Sequence, residues 1–164
     1  MGWYSLASMS STNHVAVHLA FTSVPEMTDF VQVIGDHIGR AAGLDDEAVH
    51  WMSVAVRECV VNAIKHGNRH DASRQVFVDF EIRPRSDYPE LLIRVRDQGE
   101  GFDPEELADP LAPENLLKTS GRGIFLIRSF MDDVQLRRAS EGGMEVVMTK
   151  RVQPAGAAGD PVKA

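Results

Sequence analysis

Three groups of residues have types and spacings that could do chemistry. The first sits in "VRECVVNAIKHGN", Val56 to Asn68. On a helix, Glu58 and Asn62 are one turn apart and project from the same face, so a carboxylate and a carboxamide come within reach of a single ion or ligand. Their neighbours are mostly apolar, and burying two polar groups there is costly unless an internal partner or a ligand satisfies them. The second group is Asp97 with Gly99 and Gly101 in "VRDQGEGF". Leu91, Ile93 and Val95 share one strand parity and Asp97 continues it, so the carboxylate points into the same interior at the strand end. The two glycines let the backbone turn sharply and approach a ligand closely, although a hairpin turn with a solvated Asp has the same local pattern. The third group is Gly121-Arg122-Gly123, ahead of Ile124, Phe125, Ile127 and Phe130. Free N–H groups at a helix start beside a glycine-lined approach make an anion-binding arrangement; glycines that only cap and pack would read the same way.

The elements that must position these groups follow from the pattern of apolar residues. Val15, Val17, Leu19 and Phe21 alternate as in a strand with one buried face. Ser23-x-x-Glu26 reads as a capping box, and Met27, Phe30, Val31, Ile34, Ile38 and Ala41 recur at helical spacing until Gly43 stops the helix. A second helix is capped by Asp45 or Asp46 and runs to about His66, where Gly67 ends it. "QVFVDFEIR" and "LLIRVRD" are strands, as are Val134 to Arg138 and Met144 to Val152 around the Glu141-Gly142-Gly143 turn. Residues 103–120 carry three prolines and no clean period, which suits a functional lid. The expected organisation is a flexible segment 1–14, one domain 15–152 and a flexible tail 153–164. The fold class is α+β, with helices covering one face of a largely antiparallel sheet and the three polar groups around one cavity between helices and sheet.

Composition limits the partners. The chain has 164 residues, 43% hydrophobic and 25% charged, which suits one soluble globular domain. A formal net charge of -7 gives no electrostatic footprint for nucleic acid, and no Lys/Arg run marks an anionic membrane surface. The single cysteine, Cys59, reads as a core thiol and allows no internal disulfide. No apolar run reaches a membrane span and no secretory signal is visible, so the expected location is the cytoplasm. The pairs His14/His18 and His66/His70 read as structural, Trp51 and Phe125 as core. Lys118, Arg122 and Arg128 suit either a positive patch around the lid or a solvated surface.

The trio "RECVVNAIKHGN", "VRDQGEGFDP" and "GRGIFLIRSFMDDV" resembles, in order and spacing, the N-box, G1-box and G2-box of the GHKL ATPase superfamily, over roughly Val15 to Arg151. The "HGN" and "FMDDV" details and the small size are most similar to bacterial anti-sigma-factor serine/threonine-protein kinases. The resemblance implies a two-layer α/β sandwich of the Bergerat type, with a mixed, mostly antiparallel sheet. It implies ATP and Mg²⁺ as cofactors, with Asn62 as the Mg²⁺ ligand and Asp97 accepting a hydrogen bond from the adenine amino group. Gly99 and Gly101 would let the chain pass the base, Gly121, Arg122 and Gly123 would hold phosphate oxygens through backbone N–H groups, and Glu58 would be the catalytic base. The implied partners are a sigma factor and an anti-sigma-factor antagonist, with a homodimer compatible. In one departure, Gly143-Met144 stands where the family often has Gly-Thr, which puts the water-mediated adenine contact of that hydroxyl in doubt.

Three functions fit this sequence. One is an anti-sigma-factor kinase that phosphorylates the antagonist. Another is a nucleotide-sensing module that binds a partner without phosphotransfer. The third, a histidine-kinase catalytic fragment, would need a phospho-accepting helix upstream, for which about fourteen residues ahead of the first strand are too few.

Overall fold

The computed structural model describes residues 15–101 and 119–152, with the main chain alone at 119–122 and 124. The proposed lid falls on 103–120 and so lies outside the described residues except at its last two, as do the segments 1–14 and 153–164. The order is β1 (Val15–Thr22), α1 (Met27–Ala42), α2 (Asp46–Asn62), a π-helical turn (Ala63–Gly67), β2 (Gln75–Arg83), β3 (Glu90–Arg96), α3 (Thr119–Phe130), β4 (Asp133–Arg138) and β5 (Met144–Arg151). The strands form one sheet in the order β1-β2-β3-β5-β4, and every neighbouring pair is antiparallel. The expected α+β fold with an antiparallel sheet is what the chain adopts, and among the described residues no pair is parallel, as "mixed" would allow.

Alternation explains the layers. Val76, Val78 and Phe80 of β2, Leu91, Ile93 and Val95 of β3 and Met148 of β5 are all buried in one apolar cluster with Val31 and Ile38 of α1, Val49, Met52, Val56, Cys59 and Val60 of α2, and Ile127 of α3. Each fully buried side chain of this kind contributes about 1.5–3 kcal/mol relative to exposure. On the opposite sheet face charged residues pair with one another, Asp79 with His18, Glu81 with Arg83 and Arg94, and Arg137 with Glu145, while Phe77 and the buried Leu92 on that face are apolar. Cys59 is buried, its Sγ against Met148 Sδ at 3.5 Å, and burial beside Glu58 pushes the thiol pKa up. No helix among the described residues is long and apolar enough to cross a membrane.

The helix ends show where local signals held. Asp45 caps α2, its side chain accepting from Ala48 N–H at 2.7 Å. Gly43 ends α1 at φ 97°, with Gly43 N–H on Arg40 and Leu44 N–H on Gly39, a left-handed cap that glycine adopts at least cost. The expected capping box at Ser23 does not form. Ser23 N–H bonds the Arg74 carbonyl, which holds the residue inside the β1–β2 edge, and the hydroxyl is buried without a partner. Helix α1 therefore starts at Met27 with no side-chain cap. Phe30, counted on the buried face, is 51% exposed.

Candidate functional site

The second helix does not run on to His66 in α geometry. It leaves the α-helix after Asn62 and closes a π turn in which Asn68 N–H reaches back to the Ala63 carbonyl at 2.7 Å. A π turn holds more residues per turn than an α turn, so Gly67 comes round nearer the Asn62 side than an unbroken α-helix would bring it; such turns concentrate at functional sites. Glu58 and Asn62, half-buried rather than buried, face the start of α3. A Cβ added at Gly123 would lie 3.3 Å from Glu58 Oε2 and 3.4 Å from Asn62 Nδ2, so the bare glycine is what lets α3 come so near both polar groups. Helices α2 and α3 pack antiparallel here, because Trp51, three turns earlier on α2, stacks on Phe130 at the far end of α3 with ring centroids 4.1 Å apart.

Helix α3 begins at Thr119, two residues ahead of Gly121. Gly121, Arg122 and Gly123 therefore all lie toward the front of α3.

Asp97 follows β3 and is 5% exposed, as its strand parity requires. Its Oδ1 accepts from Gly99 N–H at 2.8 Å and Met144 N–H at 3.2 Å. Glycines from three segments surround the carboxyl. A Cβ at Gly67 would overlap it, a Cβ at Gly143 would lie 2.8 Å from Oδ1, and a Cβ at Gly99 would strike the Gly67 carbonyl. Gly101 (φ 69°) packs on the Gly143 carbonyl. Both backbone donors serve Oδ1; among the described residues no donor reaches Oδ2, which lies against Gly67. Burial raises the Asp97 pKa, opposed by the Gly99 and Met144 N–H bonds and by the Arg74 charge.

The structure thus gathers Glu58, Asn62 and Gly123 in one cluster and Asp97, Gly99 and Gly101 in a second, joined by the turn 63–67. The donor types suit Mg-ATP: an amide oxygen for a hard cation that keeps several waters, main-chain N–H groups toward the front of α3 for phosphate, and a buried carboxylate oxygen without a described donor for an exocyclic amine. Sequence reading missed Gly67, Gly143 and Asn68. "HGN" was visible as a motif, but nothing local said that its glycine and asparagine meet the loop after β3. At Met144, where the family often has threonine, it is the main chain that holds Asp97: Met144 N–H bonds Asp97 Oδ1 and Asp97 N–H bonds the Met144 carbonyl at 3.1 Å. Thr149 pairs with Leu92 and Asp133 five residues along β5, roughly 17 Å away at strand rise, and substitutes for nothing here.

Other expectations need correction. Phe125 is 43% exposed, not core. Trp51 is half-buried and lines, with Asp45, Glu47, Ala48, Ser129, Phe130 and Lys150, a separate cavity of about 240 Å³ that includes none of the predicted site residues. His18 has an acidic companion across the β1–β2 pair in Asp79, at 2.7 Å. Lys118 and the Arg122 side chain lie outside what is described; Arg128 is exposed.

The family model described as the histidine kinase-like ATPase domain matches residues 21–150. The chain belongs to this ATPase family. Within the histidine kinase-like ATPases, similar chains include the serine-protein kinase RsbW of Listeria innocua, 29% identical over 148 residues that cover 87% of this chain and 90% of the relative. The anti-sigma F factor of Oceanobacillus iheyensis is 34% identical over 139 residues, 82% of this chain and 90% of that one. A crystal structure of the RsbU and RsbW domains of a Mycobacterium tuberculosis protein superposes with a TM-score of 0.61 at 15% identity over 86% of this chain, a likeness of fold. This chain spans 34% of that two-domain chain's length. A histidine kinase-like ATPase binds ATP.

Proposed function

We propose that this chain is an ATP-dependent protein serine/threonine kinase of the anti-sigma-factor type, acting in the cytoplasm. It transfers the γ-phosphoryl group of ATP to a hydroxyl of a small anti-sigma-factor antagonist and holds a sigma factor. The observation that carries the reading is the meeting of Glu58 and Asn62 with the bare Gly123 at the front of α3, on a chain whose relatives are named serine-protein kinase and anti-sigma F factor. Magnesium, when bound, neutralises phosphate charge, and the Asn62 amide oxygen is its protein ligand. The backbone N–H groups of Gly121, Arg122 and Gly123 hold phosphate oxygens, and Asp97 Oδ2 accepts from the adenine amino group. Glu58 takes the proton of the acceptor hydroxyl as its oxygen bonds to the γ-phosphorus and the bond to the β–γ bridging oxygen breaks, leaving ADP. Few protein groups are needed, because phosphoryl transfer relies mostly on positioning and charge neutralisation.

The test is incubation with labelled ATP, magnesium and a candidate antagonist. Label on a serine or threonine of the antagonist is expected. ATP binding with no label on any candidate would instead make the chain a nucleotide-sensing module in which Glu58 is dispensable.

A further inference from the structure

Asn68 has no exposed surface, and each end of its carboxamide is used. Nδ2 donates to the Gln75 carbonyl at 2.9 Å, and Oδ1 accepts from Gln98 N–H at 2.8 Å. Gln98 closes the ring, its Oε1 accepting from Gln75 N–H at 2.7 Å. The Asn68 main chain also closes the π turn through Ala63. One residue thus ties three segments together: the turn carrying Gly67, the start of β2, and the residue directly after Asp97.

Two observations separate this from general packing. The Asp97 carboxyl and Gly99 both rest on Gly67, so any shift of Gln98 relative to the π turn moves Oδ2 with it. Directly after Asn68, Arg69 and His70 take φ of 55° and 58°, left-handed values that are unfavourable for non-glycine residues. The turn is held there by His70 N–H on the Ile64 carbonyl at 2.9 Å and Asp71 N–H on the Asn68 carbonyl at 3.0 Å. Backbone strain of this kind persists where the surroundings over-determine it, and here it fixes the direction in which Asn68 enters the interior.

We propose that Asn68 is a positioning residue for recognition of the nucleotide base: without touching the nucleotide, it sets the register of the Asp97 loop against the π turn. The proposal rests on Asp97 reading the adenine amino group. Calorimetry would compare ATP with purine riboside triphosphate, which lacks only that amino group, on the parent and on Asn68→Ala. The parent prefers ATP by about tenfold or more, the worth of a hydrogen bond to a charged group. In Asn68→Ala the preference collapses toward unity, while the transfer rate at saturating ATP stays within about threefold because Glu58 and Asn62 are untouched.

A parent that binds both nucleotides equally overturns the Asp97 reading and this proposal with it. A discriminating parent whose Asn68→Ala variant keeps the full preference, or loses both nucleotides by one factor, overturns the role of Asn68 alone. Should the variant not fold, hydrogen exchange on the parent decides. The Gln98 amide is expected to exchange roughly a hundredfold slower than an exposed amide without nucleotide, and rapid exchange there overturns the clamp.

Discussion

Asp97 and Glu58 carry opposite demands on the same charge. Burial raises the Asp97 pKa, so the folded chain keeps that proton to a higher pH than the unfolded chain does. Stability from this group is therefore greatest below the unfolded value near 3.8 and is lost as pH rises through the folded one. Replacing the carboxylate with its neutral isostere removes that loss. Asp97→Asn is expected to melt at the parent's temperature or higher at neutral pH, yet to bind ATP at least about tenfold more weakly, because an amide N–H₂ near Gly67 opposes the adenine amino group. Thermal melts and calorimetry on one preparation check both halves. ATP affinity of the parent should likewise fall, on acidification, above the range of an ordinary aspartate. Glu58 has the converse profile. Glu58→Gln keeps the contact beside Gly123 and loses the proton acceptor, so ATP binding stays near the parent's while transfer slows by about a hundredfold or more, read by single-turnover transfer of label.

Elements meet at this site through glycines, and Gly67 among them does different work from Gly43, a glycine outside the site. Gly67 lies in the π turn where a side chain would overlap the Asp97 carboxyl. Gly67→Ala is expected to cost about 1–3 kcal/mol in urea denaturation and to weaken ATP binding as well, since the strand end and the turn must move apart. Gly43 only ends α1 in the left-handed region, far from the site in the chain. Gly43→Ala should cost about 1 kcal/mol and leave ATP affinity unchanged. Equal effects of the two on binding would deny the π turn its special place. The turn also explains why Gly67 could be read as a helix stop but not as a wall of the pocket. A glycine after a helical run looks the same in sequence whether it faces solvent or a carboxylate.

At the scale of the molecule, the central strands β2, β3 and β5 share one buried face, and the site hangs from their ends. Ile93 stands midway along β3 with no exposed surface. Ile93→Ala is expected to cost about 2–5 kcal/mol by denaturant unfolding. Folded Ile93→Ala protein should keep the parent's preference for ATP over purine riboside triphosphate, because the residues that set it lie beyond the strand end. Stability and base recognition are thus separable in this fold, with the core supplying the first and the loops at one edge of the layers the second.

The sequence by itself determined the strands and helices, their order and the sheet class, and it named the residues whose types could do chemistry. Period-two alternation in β1, β2 and β3, helical spacing in α1 and α2, and the caps at Asp45 and Gly43 are local properties, and local physics suffices to read them. Ser23 shows the limit, since a hydroxyl at a cap-like spacing was drawn into the sheet edge by the carbonyl of Arg74, fifty-one residues away in number. Only the tertiary structure decided that Gly123 meets Glu58 and Asn62, that Gly67 and Gly143 enclose Asp97, that Met144 serves through its main chain, and that Asn68 ties the turn to the loop. Those contacts join residues dozens of positions apart, and their energies depend on overlap at a few tenths of an ångström, which no spacing rule along a single strand or helix encodes.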